Sequence, residues 1–125
     1  MVPKAGMGYT ANMGLQIFGT RKCPITRKAE RFFRDRAIDY QFIDLAEKGP
    51  SAGELDAIAG AVGRDALVDL EGQRAKKRGL AYMDFDPVEE ILADPLLMRT
   101  PVVRDGRKAA IGDAPEAWAG FLTAR

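Results

Sequence analysis

The sequence predicts an α/β fold, and three changes of pattern along the chain indicate it. A short apolar segment at residues 14–19 is followed by a helical periodicity and then by a second strand-like segment at residues 40–44. The middle third is helical in character, after which the chain returns to two short strand-like segments and a final helix. The predicted order is therefore strand, helix, strand, a helical insert, two strands and a helix.

The first helix is predicted directly after Cys23, because Pro24 suits the first turn of a helix. Apolar residues then recur at helical spacing, so one face carries Ile25, Ala29, Phe32, Phe33 and Ala37. A right-handed crossover through this helix makes the strands on either side of it parallel.

The middle third contains three helical segments with recognisable ends. Ser51 is the predicted cap of the first, Gly79 ends the second at residues 73–78, and Asp86 with Pro87 begins the third. These segments form the predicted insert.

The last part of the chain predicts a hairpin and a helix. Asp105-Gly106 separates two strand-like segments and is a dipeptide that a type I′ turn prefers. Asp113 is the predicted cap of the final helix, and its core face would carry Trp118, Phe121 and Leu122.

The composition predicts one cytoplasmic domain. No apolar run approaches the roughly 20 residues of a membrane span, and no signal-peptide pattern is present. A single cysteine cannot form an internal disulfide, which suits a reducing compartment. We expect residues 1–13 to be a flexible N-terminal tail, with Met1, Met7 and Met13 as alternative starts, and residues 14–125 to form the domain. We expect no membrane partner.

Several classes of site are excluded by composition. The chain has no histidine, which excludes Ser-His-Asp and Cys-His hydrolytic sites and most zinc sites, so we expect no metal. Phosphate-binding loops, dinucleotide patterns and calcium loops are absent, so we expect no bound cofactor. The formal net charge of +1 argues against a nucleic-acid partner. The charges are unevenly distributed along the chain: residues 21–36 carry seven cations and two acids, and residues 39–69 carry seven acids and two cations.

Cys23 is the candidate for chemistry. It lies at a strand-to-helix turn, where backbone N–H groups, the helix dipole and the cations Arg21, Lys22 and Arg27 would favour the thiolate. Thr26 could donate its hydroxyl to the sulfur. The alternative is that Cys23 is a small buried hydrophobic residue without chemistry.

Two separated segments resemble the arsenate reductase (ArsC)-like family. Residues 19–29 are similar to the active-site turn of that family, whose pattern is Cys-x-x-Ser/Thr/Cys-Arg/Lys-Lys. Residues 96–103, with Gly106-Arg107 and Ile111-Gly112, resemble its second signature, an Arg-Pro step that leads into a hairpin. The resemblance covers about residues 14–124 and implies a thioredoxin-like fold, βαβ…ββα, with a helical insertion in the middle.

The resemblance also implies roles for individual residues. Cys23 matches the redox cysteine, Thr26 and Arg27 match the helix positions after it, and Pro101 matches a cis proline that faces the thiol. The oxyanion-binding arginines of the arsenate reductases fall at Asp69, Thr100 and Asp113, with Glu71 or Arg74 as alternatives to Asp69. Acids at such positions argue against arsenate. Spx proteins, the transcription-regulating members, carry a second cysteine where Thr26 stands.

We therefore expect a monothiol, glutathione-linked thiol–disulfide oxidoreductase that does not reduce arsenate. Cys23, Thr26 and Arg27 would form the catalytic turn, and the thiol or substrate would lie against Arg21, Lys22, Thr100 and Pro101. Glutathione would be a co-substrate, and the partner a small thiol or a protein in mixed disulfide with Cys23. Two alternatives remain: a non-catalytic Spx-like module that docks on a protein such as RNA polymerase, and a fold whose cysteine is structural.

Overall fold

The computed structural model describes residues 14–123, without the side chain of Thr123. The predicted tail, residues 1–13, lies outside the described residues. The described part of the chain contains one mixed sheet, whose strands in chain order are β1 (Leu15–Gly19), β2 (Gln41–Asp44), β3 (Val102–Asp105) and β4 (Lys108–Ile111). Their order across the sheet is β2-β1-β3-β4; β1 is parallel to β2 and antiparallel to β3, and β4 is antiparallel to β3.

Five α-helices connect and cover these strands within residues 14–123. They are α1 (Pro24–Asp35), α2 (Ala52–Val62), α3 (Gln73–Arg78), α4 (Pro87–Ala93) and α5 (Pro115–Thr123). Short 3₁₀ turns at Arg64–Ala66, Leu80–Tyr82 and Pro95–Leu97 join the helices of the insert. The predicted thioredoxin-like α/β plan, with a parallel β1-α1-β2 unit and a helical insertion before the hairpin, is confirmed.

The sheet separates two apolar clusters, because neighbouring residues of a strand point to opposite faces. Leu15 and Ile17 of β1 pack with α1 and α5 around the fully buried Phe33 and Trp118. Phe18, from the other face of β1, packs with the insert. The end of β1 is thus held from both sides, and the loop that follows it starts from a rigid position.

The predicted helix ends of the insert are confirmed. Ser51 and Glu54 form a reciprocal capping box, with the Glu54 N–H 3.1 Å from Ser51 Oγ and the Ser51 N–H 2.9 Å from Glu54 Oε1. Gly79 ends α3 in the left-handed conformation, and Asp86 caps α4 by accepting from the Val88 N–H at 2.9 Å.

The end of α1 differs from the prediction. The helix stops at Asp35, and Ala37 lies beyond it, exposed and with φ of +56°. The Ala37 N–H bonds to the Arg34 carbonyl and the Ile38 N–H to the Phe33 carbonyl, both at 3.0 Å, which is the Schellman arrangement. The chain must reverse here to enter β2, so Ala37 does not join the core face.

Two further local predictions are wrong. The hairpin loop is Gly106-Arg107, since Asp105 pairs with Lys108. Only the glycine of that pair has positive φ (+64°), which is the arrangement of a type II′ and not a type I′ turn. Asp113 does not cap α5, which begins at Pro115; its carboxylate instead accepts from Lys28 of α1 at 2.9 Å. None of the helices within residues 14–123 is long and apolar enough to cross a membrane.

Candidate functional site

Cys23 is the N-cap residue of α1. Its backbone is extended (φ −80°, ψ 115°), and its sulfur accepts a hydrogen bond from the Thr26 N–H at 3.4 Å, the place that a serine or aspartate oxygen usually takes. The Cys23 N–H donates to the Thr20 carbonyl at 3.2 Å, which closes the turn between β1 and the helix. The half-buried thiol is therefore held at the positive end of α1 by the geometry of the cap.

A second segment reaches the same sulfur from the far end of the chain. Thr100 Oγ1 lies 3.4 Å from Cys23 Sγ and donates to it. The next peptide bond, Thr100–Pro101, is cis, and the buried Pro101 leads into β3, which pairs with β1. The Pro101 carbonyl accepts from the Gly112 N–H at 2.8 Å. The structure thus brings Cys23, Thr100 and Pro101 together.

The pKa of Cys23 lies below its ordinary value. Burial alone raises it, but hydrogen-bond donors outweigh that effect. In order of size, the pKa is lowered by the Thr100 hydroxyl, the Thr26 hydroxyl, and the N–H groups of Thr26 and Ile25. A larger share of the thiol is therefore the nucleophilic thiolate at neutral pH than in an unfolded chain.

Thr26 is completely buried, although it belongs to the first turn of α1. The Thr26 hydroxyl forms no complete hydrogen bond among the described residues, but it lies close enough to the sulfur for its O–H to favour negative charge there and so to lower the pKa of Cys23. Thr26 can occupy this place because the last residue of β1 is Gly19, where a Cβ would overlap the Thr26 side chain. The sequence marks Gly19 only as the end of a strand candidate and the start of a turn, and nothing in it indicates that Gly19 makes room for Thr26.

The three cations predicted to activate the thiol do not contact it. Arg21 Nε lies 3.6 Å from Asp44 Oδ2, and the Arg21 guanidinium carbon lies 5.2 Å from the centroid of the Phe42 ring. Arg27 donates to the Arg21 carbonyl at 3.4 Å, and the exposed Lys22 has no hydrogen bond to Sγ in the described part of the chain. The lowered pKa comes from hydroxyl and backbone donors, so the expectation that these cations cause it is not met.

The residues at the three positions that match the oxyanion-binding arginines lie in different surroundings. Of Asp69, Thr100 and Asp113, only Thr100 bonds to the sulfur. Asp69 accepts from the Glu71 N–H at 3.2 Å, and the alternative candidate Arg74 is bound to Asp94 at 2.7 Å.

Arginine side chains near the Thr100 segment are also engaged elsewhere. Arg99 precedes Thr100, but its guanidinium donates to the Ala66 and Val68 carbonyls at 3.3 and 3.5 Å. In residues 14–123 no arginine therefore donates to the Cys23 sulfur.

Across the same residues no group of three or more acidic or cysteine side chains is arranged to hold a metal ion. A groove of about 560 Å³ lies between α2 and the hairpin, lined by Asp56 and Arg107, and Cys23 is not part of it.

Comparison with known proteins gives relatives along most of the chain. No protein-family model matches it. The chain is 30% identical to the uncharacterised protein YusI of Bacillus subtilis over 107 residues, which is 80% of this chain and 91% of that protein. Among solved structures it is similar to an arsenate reductase (ArsC) related protein from Brucella melitensis, with 26% identity, a TM-score of 0.63, and coverage of 94% of this chain and 98% of the other. An arsenate reductase from Vibrio cholerae has 22% identity and a TM-score of 0.75, with coverage of 88% and 98%.

Proposed function

The chain belongs to the ArsC-like family of thioredoxin-fold proteins, and from that premise we propose that it is a monothiol, glutathione-linked thiol–disulfide oxidoreductase that does not reduce arsenate. The observation that carries the proposal is the pair of hydrogen bonds that the Cys23 sulfur receives, from the Thr26 N–H and from the Thr100 hydroxyl, both 3.4 Å long. Two segments of the fold thereby stabilise a thiolate at the head of a helix.

The reaction would be a disulfide exchange. The Cys23 thiolate attacks one sulfur of a disulfide, a Cys23–sulfur bond forms, and the other sulfur leaves as a thiolate. Thr26 stands three residues on and has no sulfur, and Cys23 is the only cysteine of the sequence. The mixed disulfide must then be resolved by a second thiol from solution, for which we propose glutathione.

The surroundings of the sulfur support attack on an uncharged disulfide bond rather than on an oxyanion. An arsenate ion would need cationic donors, whereas the position beside the sulfur is held by the Thr100 hydroxyl. The Arg99 guanidinium is committed to two backbone carbonyls, and Asp113 adds negative charge that Lys28 balances. A hydroxyl stabilises a thiolate without attracting a second anion.

In this proposal glutathione is a co-substrate and not a bound cofactor, and no metal takes part. The partner is a small thiol or a protein in mixed disulfide, not a nucleic acid or a membrane. The protein acts in the cytoplasm, where single cysteines are kept reduced. We assign Arg27, Arg21 and Lys22 to contacts with the incoming substrate, since none of them bonds to the Cys23 sulfur in the described part of the chain.

The proposal is tested by following the Cys23 adduct through one cycle. Incubation with glutathione disulfide should add one glutathione to the wild-type protein, as read by intact-protein mass spectrometry, and reduced glutathione should remove it. A glutathione-coupled assay with a small mixed disulfide should then show turnover that Cys23→Ser abolishes. If no adduct forms, or if glutathione does not release it, the monothiol cycle is wrong and a non-catalytic Spx-like protein-binding module becomes the better account.

A further inference from the structure

The outer face of α1 carries positive charge that the fold does not neutralise. This cationic face is made up of the exposed side chains of Arg27, Arg31 and Arg34 of α1 and of Lys22, which lies in the turn just before the helix. Within residues 14–123 none of them forms an ion pair with a carboxylate. Arg34 donates to the Tyr40 hydroxyl at 3.4 Å, and Tyr40 in turn donates to Glu30 at 2.9 Å.

In the helical insert, by contrast, exposed arginines form ion pairs with carboxylates. Arg64 pairs with Asp86 at 2.6 Å, Arg74 with Asp94 at 2.7 Å and Arg78 with Glu90 at 2.7 Å. Acids are therefore placed beside these exposed arginines of the insert. Helix α1 has two acids of its own, Glu30 and Asp35, and among the described residues its one ion pair is that of Lys28 with Asp113. Charge left without a partner inside the fold is available to a partner outside it.

The position of the cationic face connects it to the sulfur. Arg27, Arg31 and Arg34 follow one another at helical spacing along α1, so they share a side of the helix. At a rise of 1.5 Å per residue, Arg31 lies about 12 Å along the axis from Cys23. No acid lies in the first turn of α1, and cations there oppose the helix dipole. The charge of Arg27 therefore costs the helix some stability, which is expected where a surface serves binding, whereas Arg34 lies in the last turn, where a cation is favourable.

Resting on the proposed function, we propose that the cationic face binds an acidic segment of the protein whose mixed disulfide Cys23 reduces. The occupant is a protein and not a nucleic acid, because the face begins at a sulfur whose chemistry requires sulfur in the partner. Carboxylates near the disulfide would steer the encounter and hold the disulfide at Cys23.

The chemical step is balanced with glutathione as the reductant. The Cys23 thiolate attacks the glutathione sulfur of a glutathionylated protein, and the protein's cysteine leaves as a thiolate and takes a proton from water. A second glutathione thiolate then attacks the Cys23–glutathione disulfide, which yields glutathione disulfide and restores the Cys23 thiolate. The net result is one reduced protein thiol for each glutathione oxidised.

The test uses short peptides that each carry one glutathionylated cysteine. Because an extended chain advances about 3.3 Å per residue, glutamates about four residues from the cysteine reach the level of Arg31. The matched peptides carry glutamine or lysine at the same places. We expect the full-length protein to react at least roughly fivefold faster with the glutamate peptide than with the glutamine peptide at low ionic strength, and the difference to shrink below about twofold near 0.5 M NaCl.

Two double variants locate the effect. Arg31→Gln/Arg34→Gln should bring the glutamate peptide down to the rate of the glutamine peptide and leave the glutamine peptide unchanged. Lys48→Gln/Lys77→Gln removes the same amount of charge from two exposed residues outside the cationic face, one before α2 and one in α3. This variant should change neither rate. If both double variants lost the same share of the rate with the glutamate peptide, the effect would be one of overall charge, and the proposal that the cationic face binds the acidic segment would be wrong.

The remaining outcomes separate the two proposals. If all peptides react at one rate, the inference is wrong while the oxidoreductase function stands; if none reacts, the proposed function itself fails. A cysteine-free glutamate peptide should inhibit the reaction more strongly than a single-stranded oligonucleotide of equal charge. The reverse order would make a nucleic acid the occupant and overturn the protein partner.

Discussion

The hydroxyl of Thr100 donates a hydrogen bond to the sulfur of Cys23 across 3.4 Å, although the two residues lie 77 positions apart in the sequence. The contact exists because β3 follows the Thr100–Pro101 step and pairs with β1, whose end leads to Cys23. The cations that flank Cys23 in the sequence make no such contact. Stabilisation of the thiolate therefore depends on the tertiary fold more than on neighbouring residues.

Thr100→Val should raise the pKa of Cys23, because it removes the strongest of the donors that favour the thiolate while keeping the shape of the side chain. We expect roughly threefold or greater slowing of alkylation of the native protein at neutral pH. Thr100→Ser keeps the hydroxyl and should retain most of the wild-type rate. Equal slowing in both variants would indicate a change of packing and not the loss of a donor.

Gly19→Ala should destabilise the protein, since the added Cβ overlaps the buried Thr26 side chain. Overpacking of this kind costs about 1–3 kcal/mol in the free energy of unfolding. Thr26→Ala removes the overlapping atoms, so its effect should be smaller in the Gly19→Ala background than in the wild type. Urea unfolding of the four proteins measures this coupling, and strictly additive costs would refute the steric contact.

Ala37→Gly should stabilise the protein by about 0.5–1 kcal/mol, because glycine adopts the left-handed conformation at φ +56° without the cost that alanine bears. The larger conformational freedom of glycine in the unfolded chain offsets part of the gain. The side chain is exposed, so no packing is lost. Denaturant unfolding should show a higher midpoint with an unchanged slope; a lower midpoint would mean that Ala37 is not strained.

The lowered pKa of Cys23 should also appear in the pH dependence of stability. A group whose pKa is lower in the native state than in the unfolded chain stabilises the native state above its unfolded pKa, about 8.5 for cysteine. That contribution is lost as the pH falls through the native pKa. The stability of the wild type relative to Cys23→Ser should therefore rise with pH below about 8.5, under reducing conditions. A difference that is flat or falls with pH would show that the native pKa is not lowered.

Elements with local signals could be predicted from the sequence. The capping box of Ser51 and Glu54, the end of α3 at Gly79 and the start of α4 at Asp86 depend on residues within one turn of each other. The strand-helix-strand opening follows from apolar periodicity alone. The end of α1 could not be placed in this way, because Ala37 takes a conformation that usually calls for glycine.

The electrostatics of the site depended on contacts that no local pattern contains. Parallel pairing places Gly19 beside Asp44, and the Arg21 guanidinium pairs with Asp44 and not with the sulfur. The hairpin loop lies one residue later than predicted for a similar reason. The pairing of Asp105 with Lys108 decides that Gly106 and Arg107 form the loop. Sequence spacing suggested which residues gather at Cys23, but the packing of the sheet decides which of them bond to it.

The most direct test of this account is the rate of Cys23 alkylation as a function of pH, measured on the native and the urea-unfolded protein. We predict a native midpoint below that of the unfolded protein and faster native reaction at neutral pH, because the Thr100 and Thr26 donors favour the thiolate. A native midpoint at or above the unfolded one, with slower native reaction, would contradict the account and leave Cys23 as a structural residue.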